Sequence, residues 1–303
     1  MRLFDTIVIV DWSARSKPSP VRPTKDAIWW AIAGSDLVKN PAYHRTRHAA
    51  LDALVETLRA DLTVGHRVLV GFDFPFGYPA GTAGVLTGRD DALALWAWLA
   101  DHIEDASDNG NNRFTVAQEI NDHFPGIGPF WGRPETWDFP RIPTHGRDRN
   151  GAGHPAERRI VERHQTNAQP VWKLYTTGSV GSQVLLGLPA LQRLRLTPDL
   201  ADHIQVWPFQ TGLNVPTAPI VLAEIYPSLL ASLVKERQRD GEITDAAQVR
   251  VNAAAFSALD RDERLGPLFA GPPDLTPEER RTIEQEEAWI LGTGFREQLE
   301  AAA

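Results

Sequence analysis

Two aspartates stand at the ends of apolar, strand-like runs. Asp11 closes Thr6-Ile7-Val8-Ile9-Val10, and Asp73 closes Arg67-Val68-Leu69-Val70-Gly71-Phe72. In open α/β sheets, sites form beyond the ends of neighbouring strands, near a switch in strand order. If these two strands are adjacent and parallel, the carboxylates lie within a few ångströms of each other. Two carboxylates that close repel, and they need a shared proton or a divalent cation. A hard, oxygen-only donor set suits magnesium or manganese rather than zinc. The competing reading is that each aspartate caps a following turn or helix. Glu224 ends a third apolar run, Ile220-Val221-Leu222-Ala223, just before Tyr226-Pro227 imposes a turn. A charge that terminates an inner strand needs a partner, either a metal or a cationic side chain. Asp245 opens Asp245-Ala246-Ala247-Gln248-Val249, where a carboxylate also favours the start of a helix through its dipole.

The elements that must position these acids can be read from periodicity. Strands are expected near 6–10, 27–33, 42–47, 67–73, 204–209 and 219–224. Helices are expected at 49–62, within 82–106, and at 114–124, 178–194, 228–239, 245–259 and 277–291. Residues 125–153 are dense in Gly, Pro, Arg and Trp without a sustained period, as in a functional or mobile segment. No composition shift marks a domain boundary. The expectation is one domain over 1–303 with an insertion over 79–203, after the fourth strand.

Composition excludes several classes. The chain of 303 residues is 42% hydrophobic and 23% charged, an ordinary globular balance. It has no cysteine, which removes disulfides, thiolate nucleophiles and cysteine-ligated zinc and suits a reducing, cytoplasmic setting. No apolar run reaches the roughly 18 residues of a membrane span, so no membrane partner is expected. A net charge of −8 argues against broad, non-specific gripping of a nucleic-acid backbone, while leaving room for a local basic strip. There is no phosphate-binding G-x-x-x-x-G-K-[ST] loop, no H-E-x-x-H and no G-x-S-x-G.

Four blocks together carry a resemblance: Asp-Trp-Ser-Ala at 11–14, Gly-Phe-Asp-Phe-Pro-Phe-Gly at 71–77, Ala-Glu-Ile-Tyr-Pro at 223–227, and Asp245 before an Ala-rich helix. The chain resembles an uncharacterised bacterial and archaeal family of predicted nucleases with an RNase H-like fold. The similarity extends to Gly178-Ser179-Val180-Gly181 and Val206-Trp207-Pro208-Phe209. The resemblance implies an α/β fold with a mixed five-stranded sheet flanked by helices. It implies Asp11, Asp73, Glu224 and Asp245 as ligands of Mg2+ or Mn2+, and metal-assisted phosphodiester hydrolysis of nucleic acid or nucleotides. Related sequences often carry a second aspartate three residues into that helix, where Gln248 stands here. Gln248 offers only a neutral oxygen, which weakens a two-ion site.

Residues expected to contact substrate are Ser13, in the first block, Lys173 and Ser179 around a hydroxyl-rich helix entry, and Arg159 in the Arg- and His-rich stretch 141–164. Each has an ordinary alternative, a capped helix start or a solvated loop. Two other functions stay open. One is a non-catalytic or small-molecule and nucleotide-binding protein on the same fold, linked to cofactor biosynthesis through the labels of some relatives. The other is a glycosidase-like carboxylate pair, which requires the two acids to face each other across an open cleft.

Overall fold

The computed structural model describes residues 1–34 and 37–302. Six strands form one mixed sheet: β1 (Thr6–Asp11), β2 (Ile28–Ala33), β3 (Ala42–His44), β4 (Val68–Phe72), β5 (Ile204–Val206) and β6 (Ile220–Glu224). Their order is β3-β2-β1-β4-β6-β5. The first three strands are antiparallel neighbours, whereas β1, β4, β6 and β5 run parallel. The α/β class and the mixed sheet stand as expected. The strand count is six rather than five, because the short β5 adds an outer edge beside β6. Among the described residues, no helix is long and apolar enough to cross a membrane.

The central strands are buried on both faces, which is why they read as continuous β-branched runs rather than alternating ones. One face, carrying Val8, Val10, Val70, Phe72 and Leu222, is covered by α1 (Arg47–Thr63), α3 (Ala92–His102), α4 (Arg113–Asp122) and α6 (Gly181–Arg195). The other, carrying Ile7, Ile9, Leu69, Val221 and Ala223, is covered by α7 (Ala231–Arg237), α8 (Thr244–Arg261) and α10 (Arg296–Ala302). The remaining helices are short: α2 (Thr82–Thr87), α5 (Ile160–His164) and α9 (Pro277–Thr282). The expected helix over 277–291 stops early. It widens into a π-turn at Ile283–Glu287, and Ala288 then takes a φ of 62°.

Residues 125–180 contain little regular structure, and internal arginine contacts organise them. Arg133 bonds the carbonyls of Pro134, Glu135, Trp137 and Ile142, Arg141 bonds Asp122 and two carbonyls, and Arg149 pairs with Glu157. Backbone groups that no helix or ladder satisfies need such side-chain partners. This segment also changes sides. Ile160 and Val161 pack in the α8-face core, while Val171 and Trp172 pack in the opposite one. The chain thus crosses the carboxyl end of the sheet, directly above the strand-end acids.

Candidate functional site

The register explains which acids meet. In the parallel pair β1–β4, Val10 lies opposite Phe72, so Asp11 and Asp73 leave the sheet side by side. The Asp73 N–H extends that ladder by donating to the Val10 carbonyl at 3.2 Å. Asp73 Oδ1 accepts from the Trp12 N–H at 2.7 Å, across to the neighbouring strand end rather than within its own turn. The turn-capping reading therefore fails for Asp73. The two carboxyls lie close enough that each shifts the other's ionisation. A glycosidase pair would instead face across a gap of about 5 Å or more.

Asp245 joins from α8, which lies on the same sheet face as Asp11. Its Oδ2 accepts from the Asp26 N–H at 2.7 Å, tying α8 to the loop that leads into β2. Asp26 is the acid that the sequence reading missed. It takes a positive φ of 56°, and its carbonyl accepts from Ser13 Oγ at 2.8 Å. The signal was available: an antiparallel β1–β2 pair brings the residues just before β2 beside the end of β1.

Burial and mutual repulsion act together on these carboxylates. Burial raises the Asp11 pKa well above the ordinary carboxylate range, and the charges of Asp73, Asp245 and Asp26 add to the shift. Asp73 is pushed up to about 7, mainly by burial, against the stabilising hydrogen bond from Trp12. Burial also raises Asp245. Both Asp11 and Asp73 keep part of their surface open to a cleft of ≈ 910 Å³, which Asp245 and Asp26 also line. Three basic side chains, Arg15, Lys25 and Arg113, line the same cleft. The donor set is all oxygen, half-buried and mutually repelling, a chemistry suited to a hard divalent ion.

Glu224 does not join the group. In β6 it pairs with Phe72, one step before Asp73, and side chains on a strand alternate between faces. Its carboxylate therefore leaves on the α6 side of the sheet. There Arg159 holds it at 2.6 and 2.8 Å, and the Phe76 N–H donates to it at 2.9 Å. The charge expected to await a metal is already matched by a guanidinium.

Arg159 likewise departs from its expected role. It is 1% exposed, and four of its five N–H donors go to Glu162, Glu224 twice and the Glu287 carbonyl. It organises the floor rather than reaching for substrate. Lys173 is also engaged locally, donating to the Thr177 carbonyl at 2.8 Å and lying over the Trp131 ring. Ser179 and Ser13 do line the large cleft. Gln183, near the start of α6, bonds the Trp12 carbonyl at 2.7 Å and so fixes the site loop. Gln248 also faces the cleft.

A second, smaller cavity of ≈ 250 Å³ adjoins the first, sharing Asp73, Ser179, Gln183 and Gln248. Arg159 and Glu224 lie in its wall. No family model, curated protein or solved structure shows a significant match to the chain.

Proposed function

We propose that this protein is a divalent-metal-dependent phosphodiester hydrolase of RNase H-like architecture, acting on nucleic acid or nucleotides. One observation carries the reading: Asp11, Asp73 and Asp245 converge at the end of the parallel strands, in a cleft rimmed by Arg15, Lys25 and Arg113. A mixed sheet that gathers strand-end acids accords with the RNase H-like resemblance, with β5 as an added edge.

Asp11, Asp73 and Asp245 would hold Mg2+ or Mn2+, with Asp26 adding negative charge and Gln248 a neutral oxygen. Such an ion supplies a Lewis acid for a phosphoryl oxygen and a bound water of lowered pKa. The protein's own groups orient this set. The Trp12 N–H fixes the Asp73 carboxylate, and the Asp26 N–H fixes that of Asp245. The basic rim offers charge to the flanking phosphates of a substrate, which a net-acidic protein otherwise repels. Ser13 and Ser179 contribute hydroxyls on the same wall.

The test is cleavage of labelled single- and double-stranded DNA and RNA with magnesium or manganese. Wild type should cleave at least one substrate, and Asp73→Asn should lose at least about 10²-fold. Equal rates for the two proteins would sink the catalytic claim. The alternative, a nucleotide-binding protein without hydrolysis, is favoured by the Arg159–Glu224 pair, which leaves fewer acids for metal. It predicts saturable nucleotide binding with no turnover.

A further inference from the structure

The small cavity beside Asp73 has a composition unlike that of the acidic cleft. Its polar lining combines the side-chain amides of Gln169, Gln183 and Gln248 with the Asp73, Glu162 and Glu224 carboxylates and the Arg159 guanidinium. Among the described residues, the side-chain amides of Gln169 and Gln248 have no hydrogen-bond partner, and Gln183 uses its Nε2 on Trp12 while its Oε1 stays free. An amide offers a donor and an acceptor on one planar group, which complements the edge of a heterocycle carrying both. The apolar lining includes the Tyr226 side chain, Pro75, Val180, Ile225 and Ile290. The Tyr226 hydroxyl donates to the Asn167 carbonyl at 3.1 Å, which tethers the ring at the cavity's edge. An aromatic face beside hydrogen-bonding edges is the usual way proteins hold an unstacked base.

Size and charge narrow the occupant. At ≈ 250 Å³ the cavity falls below the range of about 300–1,000 Å³ that holds a whole ligand, so it takes one fragment of a larger molecule. Its wall contains the carboxylates of Asp73, Glu162 and Glu224 against one guanidinium, Arg159, whose donors are nearly all spent on the two glutamates. An anionic group such as phosphate is therefore repelled, and a neutral one is preferred. Because the two cavities share Asp73, Ser179 and Gln183, a fragment seated here belongs to the same molecule as a group held in the acidic cleft.

We infer that this cavity is a nucleobase subsite, which receives the base flanking the phosphate held at Asp11, Asp73 and Asp245. The assignment rests on the phosphodiester reading for the neighbouring cleft, but its test does not. Free ribonucleosides and D-ribose, without phosphate or divalent cation, are titrated into the protein and followed by saturation-transfer NMR. At least one nucleoside should bind saturably at millimolar concentration while ribose does not. Gln169→Ala and Tyr226→Ala should each weaken that binding about fivefold or more, the loss of one hydrogen bond or one stacking face. Gln169 is exposed, so its variant reports on the site even where Tyr226→Ala fails to fold. Absence of saturable binding by all four nucleosides overturns the inference, as does equal binding by ribose or undiminished binding in folded Gln169→Ala. None of these results depends on whether the protein cleaves a phosphodiester.

Discussion

Glu224 and Asp73 stand one residue out of step in adjacent parallel strands, and that single step decides their chemistry. A strand's alternation sends Asp73 toward Asp11 and Glu224 toward Arg159. The consequence can be measured by manganese titration. Asp11→Asn should weaken binding at least about tenfold, since it removes a carboxylate from the half-buried set. Glu224→Gln should change the affinity less than about threefold, because its carboxylate answers a guanidinium on the other face. Loss of manganese binding in Glu224→Gln would refute the register argument. The Asp11–Asp73 pairing was legible in the sequence, because both aspartates close runs too apolar to be anything but inner strands. The sidedness of Glu224 was not, because the register of β4 against the sequence-distant β6 is set by tertiary packing. Asp26 escaped for a different reason: within Pro-Thr-Lys-Asp it looks like any loop residue, and only the β1–β2 pairing gives it neighbours.

The elements around the cleft are tied together by a few buried cations. Arg47, at the first turn of α1, pairs with Asp105 at 2.5 Å, and each side chain is 1% exposed. The same guanidinium donates to the carbonyls of Ser13, Arg15 and Asn109, so it joins α1, the loop after β1 and the turn between α3 and α4. Arg47→Met should cost about 3–5 kcal/mol, measured by chemical denaturation, because Asp105 is left buried and unpaired. It should also loosen the Ser13–Arg15 wall, seen as faster amide exchange there. Helix positions were largely readable from apolar periodicity, as in α1, α6 and α8. The ordering of residues 125–180 was not, because it rests on arginine-to-carbonyl contacts that leave no period in the sequence. The arginines of that stretch looked like phosphate ligands for the same reason that they make good staples, having five donors in a rigid fork.

For the molecule as a whole, the acidic group makes stability depend on pH and on cation. Asp73 has its pKa raised to about 7, and Asp11 is also raised, so without a cation the folded state binds more protons than the unfolded chain between about pH 4 and 7. Stability of the cation-free protein should therefore fall as pH rises through that window, with Lys25 offsetting part of the charge at Asp245. Asp73→Asn copies the protonated pair and should raise the Tm at pH 8 by a few degrees, about 1–2 kcal/mol. Manganese should raise the wild-type Tm more at pH 8 than at pH 6, and that of Asp73→Asn little at either. The crossing of the sheet end by residues 159–171 has a separate consequence, in time rather than in energy. Arg159 joins Glu224 and Glu287, which lie 65 and 128 residues further along the chain. Contacts across such spans close late in folding. Arg159→Met should accordingly speed unfolding and leave refolding nearly unchanged in stopped-flow traces, so that the floor of the site is the last part to form and the first to open.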